Sequence, residues 1–157
     1  MEDVKKPLVL IVEDVESNYL YLNAVLSKQP VRIAWMKNGL EAVNFVRENP
    51  DTALILMDLQ MPEMNGYDAT REIKKFHPTV IIIAQTAFAM SDDRAKAIEA
   101  GCDDYLAKPI RSKDLTEAVH KYLPLERNSI VPTEYQRLKS IDFRLFLILS
   151  LTFNVQN

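Results

Sequence analysis

The stretch Leu54–Asp68, LILMDLQMPEMNGYD, joins an apolar run to a single aspartate and then to a segment rich in turn residues. The run Ala53–Met57 shows no alternation of polar residues, which is typical of a strand buried on both faces of a parallel sheet. It stops at Asp58, and the Met-Pro and Asn-Gly pairs that follow indicate a loop. The stretch therefore predicts a carboxylate at the end of a buried strand.

Similar runs recur along the chain and define the predicted fold. The predicted strands are Leu8–Val12, Val31–Met36, Ala53–Met57, Val80–Ala84 and, more weakly, Asp104–Ala107. Segments with helical apolar spacing separate them, with Ser91 and Ser112 as expected N-caps and Gly101 as a helix stop. The alternation predicts an α/β fold, a doubly wound five-stranded parallel sheet of strand order 2-1-3-4-5 with helices on both faces.

The same spacing predicts which side of each helix faces the sheet. The expected inward residues are Tyr19, Leu22 and Leu26; Ala42, Val43 and Val46; Ala69, Ile73 and Phe76; Ala95 and Ile98; and Leu115, Val119 and Tyr122.

Composition narrows the class of protein. The chain has 157 residues and a formal net charge of -3, so we do not expect it to bind nucleic acid through a broad positively charged surface. It has one cysteine, so no internal disulfide is expected. No apolar run approaches the roughly 18 residues of a transmembrane helix, and the N-terminus lacks a signal-peptide core. We expect a soluble cytoplasmic protein without direct nucleic-acid binding or a transmembrane segment.

Polar residues follow the predicted strands at one edge of the sheet. Glu13 and Asp14 come after the first strand, Asp58 after the third, Thr86 after the fourth and Lys108 after the fifth. In an open parallel sheet, ligands bind beyond the carboxyl ends of the strands, where the strand order reverses. Three converging carboxylates favour a hard divalent cation such as Mg²⁺, and a hydroxyl and an ammonium suit phosphoryl oxygens. The set predicts phosphoryl transfer to Asp58 as the nucleophile.

From Leu8 to about Leu123, the chain resembles the receiver domain of two-component response regulators. The matching motifs are VED (Val12–Asp14), KNGLEAV (Lys37–Val43), MDLQMPEMNGYD (Met57–Asp68), QTA (Gln85–Ala87) and YLAKPI (Tyr105–Ile110). Their order and spacing together are far more specific than any single motif. The resemblance implies a signalling module of a phosphorelay, which catalyses only its own phosphorylation and dephosphorylation and takes its phosphoryl group from a histidine kinase or phosphotransfer protein.

The resemblance also implies roles for the acidic residues. Asp58 is the phosphoacceptor, and Glu13, Asp14, Asp58 and the backbone carbonyl of Gln60 hold Mg²⁺. Glu13 stands where aspartate is common in the family, and its extra methylene suggests contact with the metal through water.

A second group of residues is implied to form the switch. Thr86 is the switch hydroxyl that moves to the phosphoryl group, Tyr105 is the aromatic residue that follows it, and Lys108 pairs with the phosphoryl group. The bond between Lys108 and Pro109 is expected to be cis. Phe88, two residues past Thr86, is expected to hinder the attacking water and to give a phosphoryl lifetime of minutes or longer.

The implied output is a surface of the fourth helix, fifth strand and fifth helix, near residues 89–100 and 104–122. We expect a homodimer through this surface or through the C-terminal tail. Residues 1–124 are expected to form the receiver, and 125–157 an apolar tail too short for an output domain. Residues 140–157 alternate apolar and polar positions as a strand does, although a helix is possible. The tail could pack on the receiver, exchange with a second chain or dock on a membrane surface, and we favour self-association.

Three alternatives define the limits of this interpretation. The chain could be the receiver part of a hybrid sensor histidine kinase. A phosphatase of the aspartyl-phosphate class would need a second acid two residues after the nucleophile, and Gln60 stands there. A pseudo-receiver scaffold that is never phosphorylated is disfavoured by the complete set of site residues.

Overall fold

A computed structural model of the chain describes residues 5–87, 91–123 and 125. Strands and helices alternate along these residues. The strands are β1 (Leu8–Val12), β2 (Arg32–Met36), β3 (Thr52–Asp58), β4 (Ile81–Thr86) and β5 (Asp104–Ala107). The helices are α1 (Glu16–Leu26), α2 (Gly39–Glu48), α3 (Gly66–Phe76), α4 (Ser91–Ala100) and α5 (Ser112–Tyr122).

The sheet has the predicted topology. Its five strands are parallel and lie in the order β2-β1-β3-β4-β5, which confirms the predicted fold. The register places Val12 beside Met57 and Asp58 beside Gln85. The ends of β1, β3 and β4 therefore meet at one edge, next to the point where the strand order reverses.

The middle parts of the central strands are apolar because helices cover both faces of the sheet. Along β1, Val9 and Ile11 belong to the cluster that contains the buried residues of α1 and α5. Leu10 and Val12 belong to the opposite cluster, which contains the buried residues of α2 and α3. Full burial of such a side chain stabilises the fold by about 1.5–3 kcal/mol. The position of the polar edge residues thus depends on an apolar strand fixed from both sides.

The helix ends differ from the prediction in detail. α4 and α5 begin at Ser91 and Ser112, which are therefore the first helical residues and not N-caps. Arg111 occupies the N-cap position of α5 and makes no capping bond with its side chain. Gly101 follows α4 with φ of 108°, a left-handed conformation that glycine adopts easily, so the predicted helix stop is confirmed.

The predicted inward face of α4 is wrong. Ile98 is 60% exposed and Ala95 is exposed, whereas Ala97 and Ala100 are buried. Ala95 and Ile98 have the same helical spacing as Ala97 and Ala100, so the sequence spacing could not show which pair faces the sheet. Because successive residues lie about 100° apart around a helix, the two pairs lie on different sides of α4. Phe76 was also expected to face inward but is 39% exposed at the end of α3.

Several sequence predictions fall outside the described residues. They are the hindering role of Phe88, the part of the output surface at 89–90 and the tail from residue 126 onward. Within the described ranges, no helix is both long enough and apolar enough to cross a membrane.

Candidate functional site

The polar residues that were expected at the strand ends come together in the structure. Asp58 and Thr86 are the last residues of β3 and β4, and Glu13 and Asp14 directly follow β1. Lys108 follows β5, and its backbone N–H donates to the carbonyl of Thr86 at 2.7 Å. The topology alone accounts for this meeting, because all five residues leave parallel strands at the same edge.

The three acids form a cluster that could hold a metal ion. Glu13, Asp14 and Asp58 each offer a carboxylate oxygen, and these oxygens lie within 4.8 Å of one another. Glu13 and Asp58 are buried, whereas Asp14 is exposed. Carboxylate oxygens at this spacing, with one side open to water, match the preference of Mg²⁺ for a few protein oxygens and several waters. The residues present therefore fit the ion.

The carboxylate of Glu13 already has several donors within the protein. Its Oε1 accepts from the backbone N–H of Val15 at 3.1 Å and from Nδ2 of Asn18 at 3.3 Å. Its Oε2 accepts from Nζ of Lys108 at 3.0 Å. A metal ion that bound this carboxylate directly would have to compete with these bonds. Contact through a water molecule leaves them intact.

Lys108 connects the two buried carboxylates. Its Nζ lies 3.0 Å from Glu13 Oε2 and 3.1 Å from Asp58 Oδ2. Burial alone would lower the pKa of Lys108, but the carboxylates of Glu13 and Asp58 outweigh it and raise that pKa above its ordinary value. The lysine therefore stays charged at neutral pH.

Burial has the opposite consequence for Asp58. It raises the pKa of this carboxyl to about 6, and the charge of Glu13 acts in the same direction. The backbone N–H of Gln60, which donates to Asp58 Oδ1 at 3.1 Å, and the ammonium of Lys108 lower the pKa and limit the rise. At neutral pH the carboxylate remains mostly ionised, so it can act as a nucleophile without a general base.

The loop after Asp58 is folded tightly against the end of β3. The N–H of Gly66 donates to the carbonyl of Leu59 at 3.1 Å, and Asn65 caps α3 by accepting from the N–H of Asp68 at 2.9 Å. A Cβ atom on Gly66 would lie 2.1 Å from the carbonyl oxygen of Asp58. Glycine is therefore required for the loop to return this close to Asp58.

The predicted switch residues lie on neighbouring strands. Thr86 is buried at the end of β4, and Tyr105 is half-buried on β5, where it pairs in register with Ala84. The guanidinium of Arg94 lies 4.9 Å from the centre of the Tyr105 ring. The Lys108–Pro109 bond is cis, as the resemblance implied.

Three further contacts at the site were not predicted. The indole N–H of Trp35 donates to the carbonyl of Glu13 at 2.9 Å, and the N–H of Glu13 donates to the carbonyl of Met36 at 3.0 Å. The ring of Tyr19 stacks on Trp35 with ring centres 4.0 Å apart. β2 and α1 therefore fix the backbone of Glu13. Asn18 had a usable sequence signal, since it lies in the first turn of α1, the helix that begins shortly after Glu13 and Asp14.

Comparison with known proteins gives a consistent result. The family model described as the response regulator receiver domain matches residues 9–120. The chain is 43% identical over 128 residues to hybrid signal transduction histidine kinase G of Dictyostelium discoideum, covering 77% of this chain and 4% of that protein. It is 37% identical over 118 residues to the polar-differentiation response regulator DivK of Brucella anthropi, covering 73% of this chain and 94% of that protein. The chain thus spans a small part of the kinase and nearly all of DivK.

Solved structures show the same fold. The receiver domain of Ssk1 from Saccharomyces cerevisiae, crystallised with the histidine phosphotransfer protein Ypd1, is 36% identical, with a TM-score of 0.71. The match covers 75% of this chain and 89% of that one. The receiver domain of sensor histidine kinase PA1611 from Pseudomonas aeruginosa, with magnesium coordinated in its active-site cleft, is 34% identical with a TM-score of 0.69. That match covers 74% of this chain and 97% of that one.

Proposed function

The chain belongs to the response regulator receiver domain family, and from this premise we propose that Asp58 is the residue that accepts the phosphoryl group in a two-component phosphorelay. The observation that carries the proposal is the position of the Asp58 carboxylate. It emerges from β3 within 4.8 Å of oxygens of Glu13 and Asp14, and 3.1 Å from the ammonium of Lys108. A buried carboxylate with this surrounding is suited to phosphoryl transfer.

The proposed step is a displacement at phosphorus. An oxygen of Asp58 attacks the phosphoryl group of a phosphohistidine, the bond from phosphorus to the imidazole nitrogen breaks, and the imidazole leaves with the electron pair. The product is an acyl phosphate on Asp58. Lys108, already in contact with Asp58, stabilises the charge on the transferring oxygens.

Glu13, Asp14, Asp58 and the carbonyl of Gln60 are the proposed ligands of Mg²⁺. When bound, the ion supplies charge neutralisation for the transferring phosphoryl oxygens. The hydrogen bonds that occupy Glu13 support contact through water for this residue. The solved relative with magnesium in its cleft supports the choice of metal.

We propose that phosphorylation moves the hydroxyl of Thr86 toward the new group and that Tyr105 follows. The readout is then the surface formed by α4, β5 and α5. Exposure of Ile98 on α4 and the contact of Arg94 with Tyr105 support this surface as the one that changes, and a homodimer could form through it.

The donor is proposed to be a histidine kinase or a phosphotransfer protein. The relative solved with Ypd1 supports a phosphotransfer protein as one such partner.

We also propose that residues 1–124 form the receiver, that the protein acts in the cytoplasm, and that the tail from 125 to 157 mediates self-association. Size-exclusion chromatography tests the last point, because identical oligomeric states with and without the tail would exclude it.

The central test is covalent modification. The full chain, incubated with Mg²⁺ and acetyl phosphate, should gain the mass of one phosphoryl group, and Asp58→Asn should gain none. Asp68→Asn is the matched control, because Asp68 is an exposed acid on α3 that pairs with Arg71 outside the cluster. Absence of any adduct on the wild type would favour a binding scaffold, and turnover of phosphate esters would favour a phosphatase.

A further inference from the structure

The loop that joins β3 to α3, residues 59–65, contains a strained residue close to the metal site. Glu63 has a φ of 65°, in the left-handed region that residues with a side chain rarely adopt. Such a conformation persists only where the surrounding structure holds it in place. Gln60, Pro62 and Glu63 are exposed, so burial does not hold this part of the loop. The conformation of the loop therefore depends on contacts that its backbone makes with other elements.

One such contact connects the loop to α2. Gly39 is the first residue of α2, and its N–H donates to the carbonyl of Met64 at 3.1 Å. A Cβ atom at position 39 would lie 2.5 Å from that carbonyl oxygen and 2.9 Å from Cγ of Met64. Contacts under about 3 Å between such atoms are repulsive, so any side chain here would force the loop or the helix to move. The loop backbone thus lies directly against the first turn of α2.

α2 is the more rigid of the two partners. Ala42, Val43 and Val46 are buried and fix the helix against the sheet. Its first turn is closed by Asn38, whose Oδ1 accepts from the N–H of Glu41 at 2.8 Å. A displacement at their contact would therefore fall mainly on the exposed loop.

We propose that the first turn of α2 positions this loop for Mg²⁺, with Gly39 as a positioning residue for the ligand at the carbonyl of Gln60. The identity of that ligand rests on the proposed function. The base of the loop is closed by the N–H of Gly66, which donates to the carbonyl of Leu59 at 3.1 Å. A push on Met64 is thus transmitted within the loop toward Gln60. The metal affinity then depends on α2, which carries none of the proposed site residues.

The first test measures the dissociation constant of Mg²⁺ by calorimetry on the full chain, with folding checked by circular dichroism. Gly39→Ala should weaken Mg²⁺ binding by roughly tenfold or more, as is usual when a group that orients a metal ligand is disturbed. Gly101→Ala is the matched control. Its φ of 108° makes alanine unfavourable there, so this variant is also destabilised. Gly101 precedes the start of β5, at the opposite edge of the sheet from the site.

We expect Gly101→Ala to bind Mg²⁺ as the wild type does. Equal affinity in Gly39→Ala and the wild type overturns the inference. So does an equal loss of affinity in both glycine variants, because general destabilisation would then account for it. Asn38→Ala is the second variant if Gly39→Ala fails to fold. It removes the cap of α2 and should weaken Mg²⁺ binding by roughly two- to fivefold. Unchanged affinity in that variant would also overturn the inference.

Hydrogen exchange of the wild type gives a second readout that needs no substitution. If α2 favours the loop conformation that binds Mg²⁺, then Mg²⁺ must strengthen the contact of the loop with α2, because coupling between two sites is reciprocal. Saturating Mg²⁺ should therefore slow exchange of the Gly39 N–H by roughly tenfold, when measured by nuclear magnetic resonance. The Gly101 N–H, which donates to the carbonyl of Ile98 at 3.0 Å, should show no change.

The outcomes separate this inference from the proposed function. A wild type that binds Mg²⁺ without slower exchange at Gly39 contradicts this inference alone. A wild type that binds Mg²⁺ and shows the slower exchange, but is never phosphorylated on Asp58, contradicts the phosphoacceptor role alone. A wild type that binds no Mg²⁺ overturns the proposed metal site and this inference with it.

Discussion

A neutral side chain in place of Asp58 should make the metal-free protein more stable. Asp58 is 5% exposed, and burial raises its pKa from 3.8 to about 6 even though Lys108 and the N–H of Gln60 act against the rise. A difference of about two pKa units corresponds to roughly 3 kcal/mol between the charged and neutral forms. Asn keeps the shape of the side chain without the charge. We therefore expect Asp58→Asn to increase the free energy of unfolding by up to about 3 kcal/mol at neutral pH in EDTA.

The dependence of this difference on pH follows from the direction of the shift. The folded protein holds the proton of Asp58 more tightly than the unfolded chain, because the folded pKa of about 6 lies above the unfolded value of 3.8. Stability provided by the protonated carboxyl is complete below the unfolded pKa and is lost as pH rises through about 6. The variant should therefore match the wild type at acidic pH and exceed it above the folded pKa.

Mg²⁺ should reverse the order of stability. A ligand at 1,000 times its dissociation constant stabilises the folded state by about 4.1 kcal/mol, which exceeds the advantage of about 3 kcal/mol expected for Asp58→Asn, and this variant lacks one of the proposed metal ligands. Urea denaturation followed by circular dichroism, with EDTA or with Mg²⁺, measures all four conditions. Asp68→Asn should behave like the wild type in each, because its side chain is exposed.

Two results would refute the reasoning. If Asp58→Asn is no more stable than the wild type in EDTA at neutral pH, the ion pair with Lys108 outweighs the burial of the carboxylate. If Mg²⁺ stabilises the variant as much as the wild type, Asp58 is not a ligand of the ion.

Three further substitutions test other parts of the structure. Gly66→Ala should destabilise the protein by at least about 2 kcal/mol in urea denaturation, because its Cβ would lie 2.1 Å from the carbonyl oxygen of Asp58. Trp35→Phe should cost about 1 kcal/mol and weaken Mg²⁺ binding in calorimetry, because it removes the donor to the Glu13 carbonyl; an unchanged Mg²⁺ affinity would contradict a role in positioning Glu13. Ile98→Ser should change stability by less than about 0.5 kcal/mol, and a large loss would mean that Ile98 belongs to the core.

The fold was predictable because the apolar residues of its strands follow a different sequence pattern from those of its helices. A continuous apolar run such as Leu8–Val12 indicates a strand that is buried on both faces of the sheet. When such strands alternate with helical segments, only a few sheet topologies are possible. The strand ends were predictable for the same reason, since the topology brings Glu13, Asp58 and Lys108 to one edge whatever their rotamers are. Sequence spacing therefore predicted those residue positions that the backbone topology alone determines.

The remaining features of the fold and the site depend on side-chain packing, which sequence spacing does not determine. Ala97 and Ile98 are both compatible with a helical face, and only the approach of α4 to the sheet selects Ala97. The bond from Trp35 to Glu13 depends on the indole orientation on the edge strand β2. The Gln85 amide has no hydrogen-bond partner among the described residues, which is a property of its three-dimensional surroundings and not of any linear pattern of residues.

The charges at the strand ends explain why a divalent cation should be needed before transfer. Three carboxylates and the ammonium of Lys108 give a formal charge of -2, from -3 and +1. A phosphodonor is itself an anion, so its approach to this edge is unfavourable until two positive charges offset the excess. Lys108 cannot supply this compensation alone, because its one charge is shared between Glu13 and Asp58. The same arrangement that leaves Asp58 ionised should thus make the proposed phosphoryl transfer dependent on the metal.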